Sequence, residues 1–162
     1  MSRLDSFIRR LQAQRACIDA AAAQIRGLDG FLLELGLGNG RTYDHLREIA
    51  PGREIYVFDR QVNAHPDCIP APDHLFLGEI TATLPQALAR LGANAALVHT
   101  DVGTGIQAQN DKLAATIAPM IRALMRVGGI VISDQAMKTP GLTPIALPEG
   151  VKPGRYFMSK AV

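Results

Sequence analysis

Leu4, Phe7, Ile8, Leu11, Ile18, Ala22 and Ile25 recur at steps of three and four. That period places them on one face of a helix. The spacing predicts a long amphipathic helix over 3–26, with Ser2 and Asp5 as a capping box and Gly27 as its stop. The pattern then changes to short apolar runs separated by helical stretches. "GFLLEL" (30–35), "EIYVFD" (54–59), "HLFLG" (74–78), "AALVHTD" (95–101) and "GGIVISD" (128–134) read as strands. "RTYDHLREIA" (41–50) reads as a helix stopped by Pro51 and Gly52. "LPQALARLG" (84–92) reads as another, with Pro85 in its first turn and Gly92 at its end. Residues 109–127 form a long helix containing Pro119. Near-continuous apolar strands between helices imply a parallel sheet buried on both faces. The tail differs: "TPIAL" (143–147) and "RYFMSKA" (155–161) are joined by the turn-rich "PEGVKPG", too short for a helix. They should pair as an antiparallel hairpin at the sheet's end.

The 162 residues fit one domain, 1–162, with 1–27 as the first helix and 28–162 as the core. Hydrophobic residues make up 48% of the chain, enough to fill a core. Formal net charge is +2, from 17 Lys plus Arg against 15 Asp plus Glu. So small an excess argues against a nucleic-acid partner and against an anionic membrane surface. Cys17 and Cys68 have no paired spacing and read as free thiols of a reducing cytosol. "MSRLDSFIRRLQ" is charged where a signal peptide needs an apolar segment. No apolar run is long enough to span a bilayer. The expected location is therefore cytoplasmic.

The candidate chemistry begins in "LELGLGNGRTYDHL" (33–46), where Gly36, Gly38 and Gly40 follow a buried strand and open a helix. Such a turn lets a ligand approach the backbone, with the helix N-terminus aimed at it. The dinucleotide fingerprint G-x-G-x-x-G fails, because Arg41 occupies its third glycine position. The phosphate-binding G-x-x-x-x-G-K-[ST] is absent too. The pattern present, Glu34-x-Gly36-x-Gly38-x-Gly40, resembles motif I of the class I S-adenosylmethionine methyltransferases.

That resemblance covers about residues 28–162. It implies a three-layer α/β/α sandwich of Rossmann-like type, its mixed seven-stranded sheet ordered 3-2-1-4-5-7-6 with an antiparallel C-terminal hairpin. It also implies S-adenosyl-L-methionine as cofactor. Glu34 would face the positive charge of the methionyl end, with Leu37 and Asn39 in the glycine turn beside it. Asp59, which ends the second strand 19 positions after Gly40, would accept from both ribose hydroxyls, with Arg60 adjacent. Glu79, after Gly78, would meet the adenine amino group. Ile80 would offer its backbone N–H and an apolar side chain to the ring. Asp101, at the end of strand four, would stand where the methyl group meets its acceptor. "LMRVGGIVISD" would form the helix-to-strand-five element, its glycine pair a tight connection. Tyr43 and Asp44 would flank the methionyl end or cap the helix. The segment "RQVNAHPDCIPAP" is too broken for the usual helix between strands two and three, and "QAMKTPG" is too short for another.

Methyl transfer is a displacement at carbon, and a base is needed only if the acceptor must lose a proton. His99 is the candidate base, and alternation points it to the same side as Asp101. "TDVG" does not match the N/D-P-P-Y/F motif of amino-methylating relatives. His65, Asp67, Cys68 and His74 lack zinc spacing, so no metal is expected. Ser133–Asp134 lacks the G-x-S-x-G of a hydrolase. The reading reached is a methyltransferase for a small-molecule acceptor, with a homo-oligomer expected because so compact a chain has little lid of its own. The rivals are an NAD-dependent oxidoreductase, an aminopropyl transferase and a non-catalytic SAM-binding module.

Overall fold

The computed structural model describes residues 2–162. It opens with α1 (Arg3–Gln24), whose capping box forms as expected. Asp5 N–H donates to Ser2 Oγ, and Ser2 N–H donates to Asp5 Oδ2, each at 3.0 Å. Ala13, Gln14, Cys17, Ile18 and Ala21 turn inward, followed by Ile25. Leu4, Phe7 and Ile8 do not: they are 66%, 47% and 43% exposed. The expected stripe thus packs only in the second half of the helix. A 22-residue helix is ~33 Å long, whereas a five-residue strand spans ~17 Å. The first turns therefore overshoot the sheet.

The sheet comprises β1 (Phe31–Leu35), β2 (Ile55–Asp59), β3 (Leu75–Leu77), β4 (Ala95–Thr100), β5 (Met125–Ser133), β6 (Leu142–Pro144) and β7 (Phe157–Ala161). Its order is β3-β2-β1-β4-β5-β7-β6, as the resemblance implied. The first five strands are parallel, and β7 runs antiparallel between β5 and β6. Leu33, Leu35, Val98 and Val131 face α3 (Ile80–Leu91) and α4 (Gln107–Leu124). Leu32, Leu97, Ile130 and Ile132 face α1 and α2 (Arg41–Ile49). Burial on both sides explains why the central strands read as unbroken apolar runs.

Several boundaries depart from the sequence expectation: α4 ends at Leu124 rather than 127 and β6 at Pro144 rather than 147, and two further shifts have clear causes. Helix α3 starts at Ile80, so Pro85 lies inside it rather than in its first turn. Thr83 reinforces that earlier start, its backbone N–H and its hydroxyl both donating to Glu79 O. Strand β5 starts at Met125, so Gly128 and Gly129 sit within it and are not a tight connection. The register slips there, and a Cβ on Gly129 would come within 2.8 Å of Ala95 O. The pair permits close crossing of β4. Between β2 and β3 the chain makes only two 3₁₀ turns, Pro66–Cys68 and Pro72–His74. Among the described residues no helix is long and apolar enough to cross a membrane.

His74, just before β3, stacks its ring on Tyr56 of β2 with centroids 4.8 Å apart. Its Nδ1 is 2.8 Å from Asp73 and its Nε2 is 2.8 Å from Glu54. The hydrogen bond to Asp73, helped by that to Glu54, raises the His74 pKa above its ordinary value against a smaller opposing effect of burial. A raised folded pKa stabilises the protein fully below the unfolded value of about 6.5, and the gain is lost as pH rises through the folded value. Urea denaturation should therefore show His74→Ala losing more stability at pH 5.5 than at pH 9. The difference should be about 0.5 kcal/mol, the scale of an exposed ion pair.

Candidate active site

The three glycines after β1 have three different reasons. Gly36 has φ +95°, and a Cβ there would come within 2.9 Å of Asp101 O. It lets the turn cross the end of β4. Gly38 has φ +51°, and a Cβ there would meet nothing within 4 Å. It leaves open space on a cavity wall. Gly40, the residue preceding α2, has φ +85°, and its Cβ would collide with Cys68 Cβ and close on Ala64. That glycine serves packing against the β2–β3 connection and is outside the cavity lining.

Asp59, at the end of β2, binds the same turn. Its Oδ2 accepts from Leu37 N–H at 2.9 Å and Gly38 N–H at 3.2 Å. Its Oδ1 accepts from Arg60 N–H at 2.6 Å and Gln61 N–H at 3.3 Å. A carboxylate has about four lone-pair sites. The short bonds fix the loop, and the long ones, to Gly38 and Gln61, are those an incoming hydroxyl can displace.

On the other side of the turn, Asp101 follows β4. Its Oδ2 takes three donors: Arg10 Nη2, Gln14 Nε2 at 3.0 Å and Tyr156 Oη at 3.2 Å. Its Oδ1 has no donor within the described protein. Behind it stands a fully buried pair, with His99 Nδ1 2.8 Å from Glu34 Oε2 and both side chains at 0% exposure. Thr42 Oγ1 donates to the other Glu34 oxygen. Gln14 Nε2 reaches His99 Nε2 at 3.3 Å. Asp134, after β5, has its pKa raised by burial and then by the negative charge of Asp101. Its Oδ1 is buried without a donor, as suits a carboxyl that takes up a proton.

The glycine turn, Asp59 and Asp101 border a cavity of about 590 Å³ at the carboxyl ends of the parallel strands, where the order turns from β1 to β4. That is the switch point at which such sheets bind ligands. Gly36, Leu37, Gly38 and Asn39 line it from the turn, and Asp59 and Arg60 from β2. Gly78, Glu79 and Ile80 line it from the β3–α3 junction, and Asp101 from β4. Four of the expected site residues lie elsewhere. Glu34 has no exposure and spends its oxygens on Thr42 and His99, so it does not face the cavity. His99 is equally enclosed and cannot touch a substrate proton. Tyr43 is buried in the helix–sheet core under Arg47, and Gly40 packs on Cys68.

The sequence reading missed Arg10, Gln14 and Tyr156. Gln14 carried a signal: it is a polar residue at the i+3 step of the stripe that runs from Leu11 to Ile18. The donor set fits S-adenosylmethionine. Its ammonium and ribose hydroxyls need acceptors, and two carboxylates line the cavity on either side of a bare backbone turn.

A family model described as S-adenosyl-L-methionine methyltransferase matches residues 1–161. No curated protein matches the chain. Among solved structures, an S-adenosyl-L-methionine methyl transferase from Silicibacter pomeroyi DSS-3 is 48% identical, covers 100% of this chain and 99% of its own, and superposes with a TM-score of 0.95. MycE methyltransferase from the mycinamycin biosynthetic pathway, in complex with Mg and SAH, shares 14% identity over 88% of this chain and 44% of its own, at TM-score 0.59. A 16S rRNA (adenine(1408)-N(1))-methyltransferase from Catenulisporales acidiphilia shares 17% over 90% and 91%, at TM-score 0.53. The last two share the fold alone.

The glycines make a testable contrast. Gly40→Ala combines a left-handed backbone with a collision and should cost about 3 kcal/mol in chemical denaturation. Gly38→Ala meets no neighbour and should cost only about 1 kcal/mol, its main effect falling on ligand affinity.

Proposed function

The chain belongs to this family of S-adenosyl-L-methionine methyltransferases, and we propose that it methylates a small molecule in the cavity beside α1. The observation that carries the reading is the placement of Asp59 and Asp101 on either side of the glycine turn, both lining one cavity. Bound S-adenosylmethionine supplies an electrophilic methyl carbon on a sulfonium. Asp59 accepts the ribose hydroxyls in place of its two long backbone bonds. Glu79 accepts from the adenine amino group. Ile80 opens α3, where backbone N–H groups lack helical partners, and so can donate to the ring. Asp101 offers its free Oδ1 to a donor at the methyl-transfer end.

His99 does not line that end and Asp101 is held by three donors, Arg10 among them, which suits an acceptor that attacks without prior loss of a proton. Alignment within the cavity then supplies much of the acceleration. The small acceptor is supported by α1, whose Phe7, Arg10, Leu11 and Gln14 wall one side, and by a net charge of only +2. Likeness of fold does not decide between acceptors, since it extends to both small-molecule and ribosomal RNA enzymes. The whole chain acts as one domain in this reading.

Calorimetry should give micromolar affinity for S-adenosylmethionine and S-adenosylhomocysteine and none for NAD. Asp59→Ala should weaken both by about 10-fold, the loss of charge-assisted hydrogen bonds. Unchanged affinity in a folded variant would remove the ribose role. Label from methyl-tritiated cofactor should enter a small-molecule panel and not RNA; incorporation into RNA would overturn the small acceptor.

A further inference from the structure

We propose that Gln14 is a positioning residue whose side-chain amide transmits the charge state of buried His99 to Asp101 in the cavity wall. The inference rests on the reading of that cavity as the methyl-transfer site. It starts from the proton count. His99 Nδ1 faces a carboxylate oxygen of Glu34 at 2.8 Å, so Nδ1 carries a hydrogen. His99 Nε2 faces the amide nitrogen of Gln14 at 3.3 Å. An amide nitrogen only donates, so Nε2 must be the bare nitrogen. The geometry therefore holds neutral His99 as its Nδ1–H tautomer. The other hydrogen of the Gln14 amide goes to Asp101 Oδ2 at 3.0 Å. One amide group thus serves both partners, and its orientation is fixed by both.

Adding a proton to His99 breaks this arrangement. The proton comes from solvent and can only bind Nε2, which then opposes two N–H groups to each other. The amide must turn over to present its oxygen to His99. Asp101 then loses its Gln14 donor and keeps only Arg10 and Tyr156 on that oxygen. A buried ring becomes legible at the cavity wall without touching a ligand.

The carboxylates around His99 favour this added proton. Glu34 faces it from β1, Asp101 from its own strand's end and Asp134 from the end of β5, while Arg10 of α1 pairs with Asp101. The phenol of Tyr156 stacks on the ring with centroids 6.4 Å apart. Burial is the largest single influence and opposes the charge, but Glu34 foremost, with the other two carboxylates, outweighs it. The folded pKa is raised, and the neutral, Asp101-ordering form is the one present above it. Affinity for a ligand held by Asp101 should rise with pH through the His99 midpoint.

Two measurements on the full chain test this. Long-range ¹H–¹⁵N correlation of the histidine rings reads the tautomer of His99 directly. The expected result is Nδ1–H at high pH, with the Gln14 side-chain amide signals shifting at the same midpoint as the ring. An Nε2–H tautomer, or Gln14 signals indifferent to that midpoint, would overturn the coupling without any ligand. The second is S-adenosylhomocysteine affinity across the midpoint in wild type and in Gln14→Leu. Wild type should tighten about 5-fold, the worth of one hydrogen bond, while the folded variant stays within 2-fold (the order of residual charge effects) although its His99 still titrates. A full-sized step in Gln14→Leu would refute the role. Absence of binding at every pH would instead refute the methyltransferase reading of the cavity, and the ring spectra would still decide the coupling.

Discussion

A carboxylate with no solvent exposure needs partners on its oxygens, and Glu34 stands at 0% in the middle of the sheet. Its two partners come from different elements: Thr42 from the first turn of α2 and His99 from β4. His99 in turn requires a donor for its second nitrogen, which α1 supplies through Gln14. One buried charge therefore sets where α2 begins, how β1 and β4 register, and where α1 crosses. An apolar residue in its place could pack as well at little energetic cost. What the acid adds is specification: this arrangement of the four elements gives both Glu34 oxygens and both His99 nitrogens a partner.

The floor of the cavity obeys a similar economy. Asp59 accepts from four backbone N–H groups. The turn after β1 and the turn after β2 are thus held by one side chain, and the glycines supply the conformations that bring those donors to it. Fold and site cannot be separated here, because the residue best placed to bind a ligand also shapes the backbone that receives it. Asp101 is the counterpart, with one oxygen committed to the protein by three donors and the other without one among the described residues. A carboxylate already fixed in this way loses little freedom on binding.

Much of this was legible in the residues. The strands announced themselves as apolar runs, and the hairpin by a turn too short for a helix. The alternation of β4 placed His99 and Asp101 on one side, and the structure keeps both facing the α1 layer, joined by Gln14. The errors have physical causes. Pro85 was read as a start signal, yet α3 begins five residues earlier. Gly128 and Gly129 were read as a connection, when their lack of side chains serves a close strand crossing. Glu34, Tyr43 and Gly40 sit in the motif and His99 at the end of strand four, but position in the sequence does not say which way a side chain is satisfied. Glu34 was assigned to a cofactor charge because its actual partner, His99, lies 65 positions away.

Gln14 shows what a sequence can still offer when contacts are hidden. A glutamine on the buried stripe of an amphipathic helix is costly unless its amide is fully used. Its presence therefore implies a polar partner on the surface the helix covers, and on that surface strand four offered His99 and Asp101. The same logic explains why the first half of α1 remains attached although Leu4, Phe7 and Ile8 stay in water. Its hold on the core at that end is polar, through Arg10 and Gln14 to Asp101 and through Arg155 to Ser6 at 2.8 Å. A helix fastened at one end by apolar burial and at the other by bonds to a ligand-facing carboxylate is tied to the state of the site. Whatever changes Asp101 acts on the helix, and whatever moves the helix acts on Asp101.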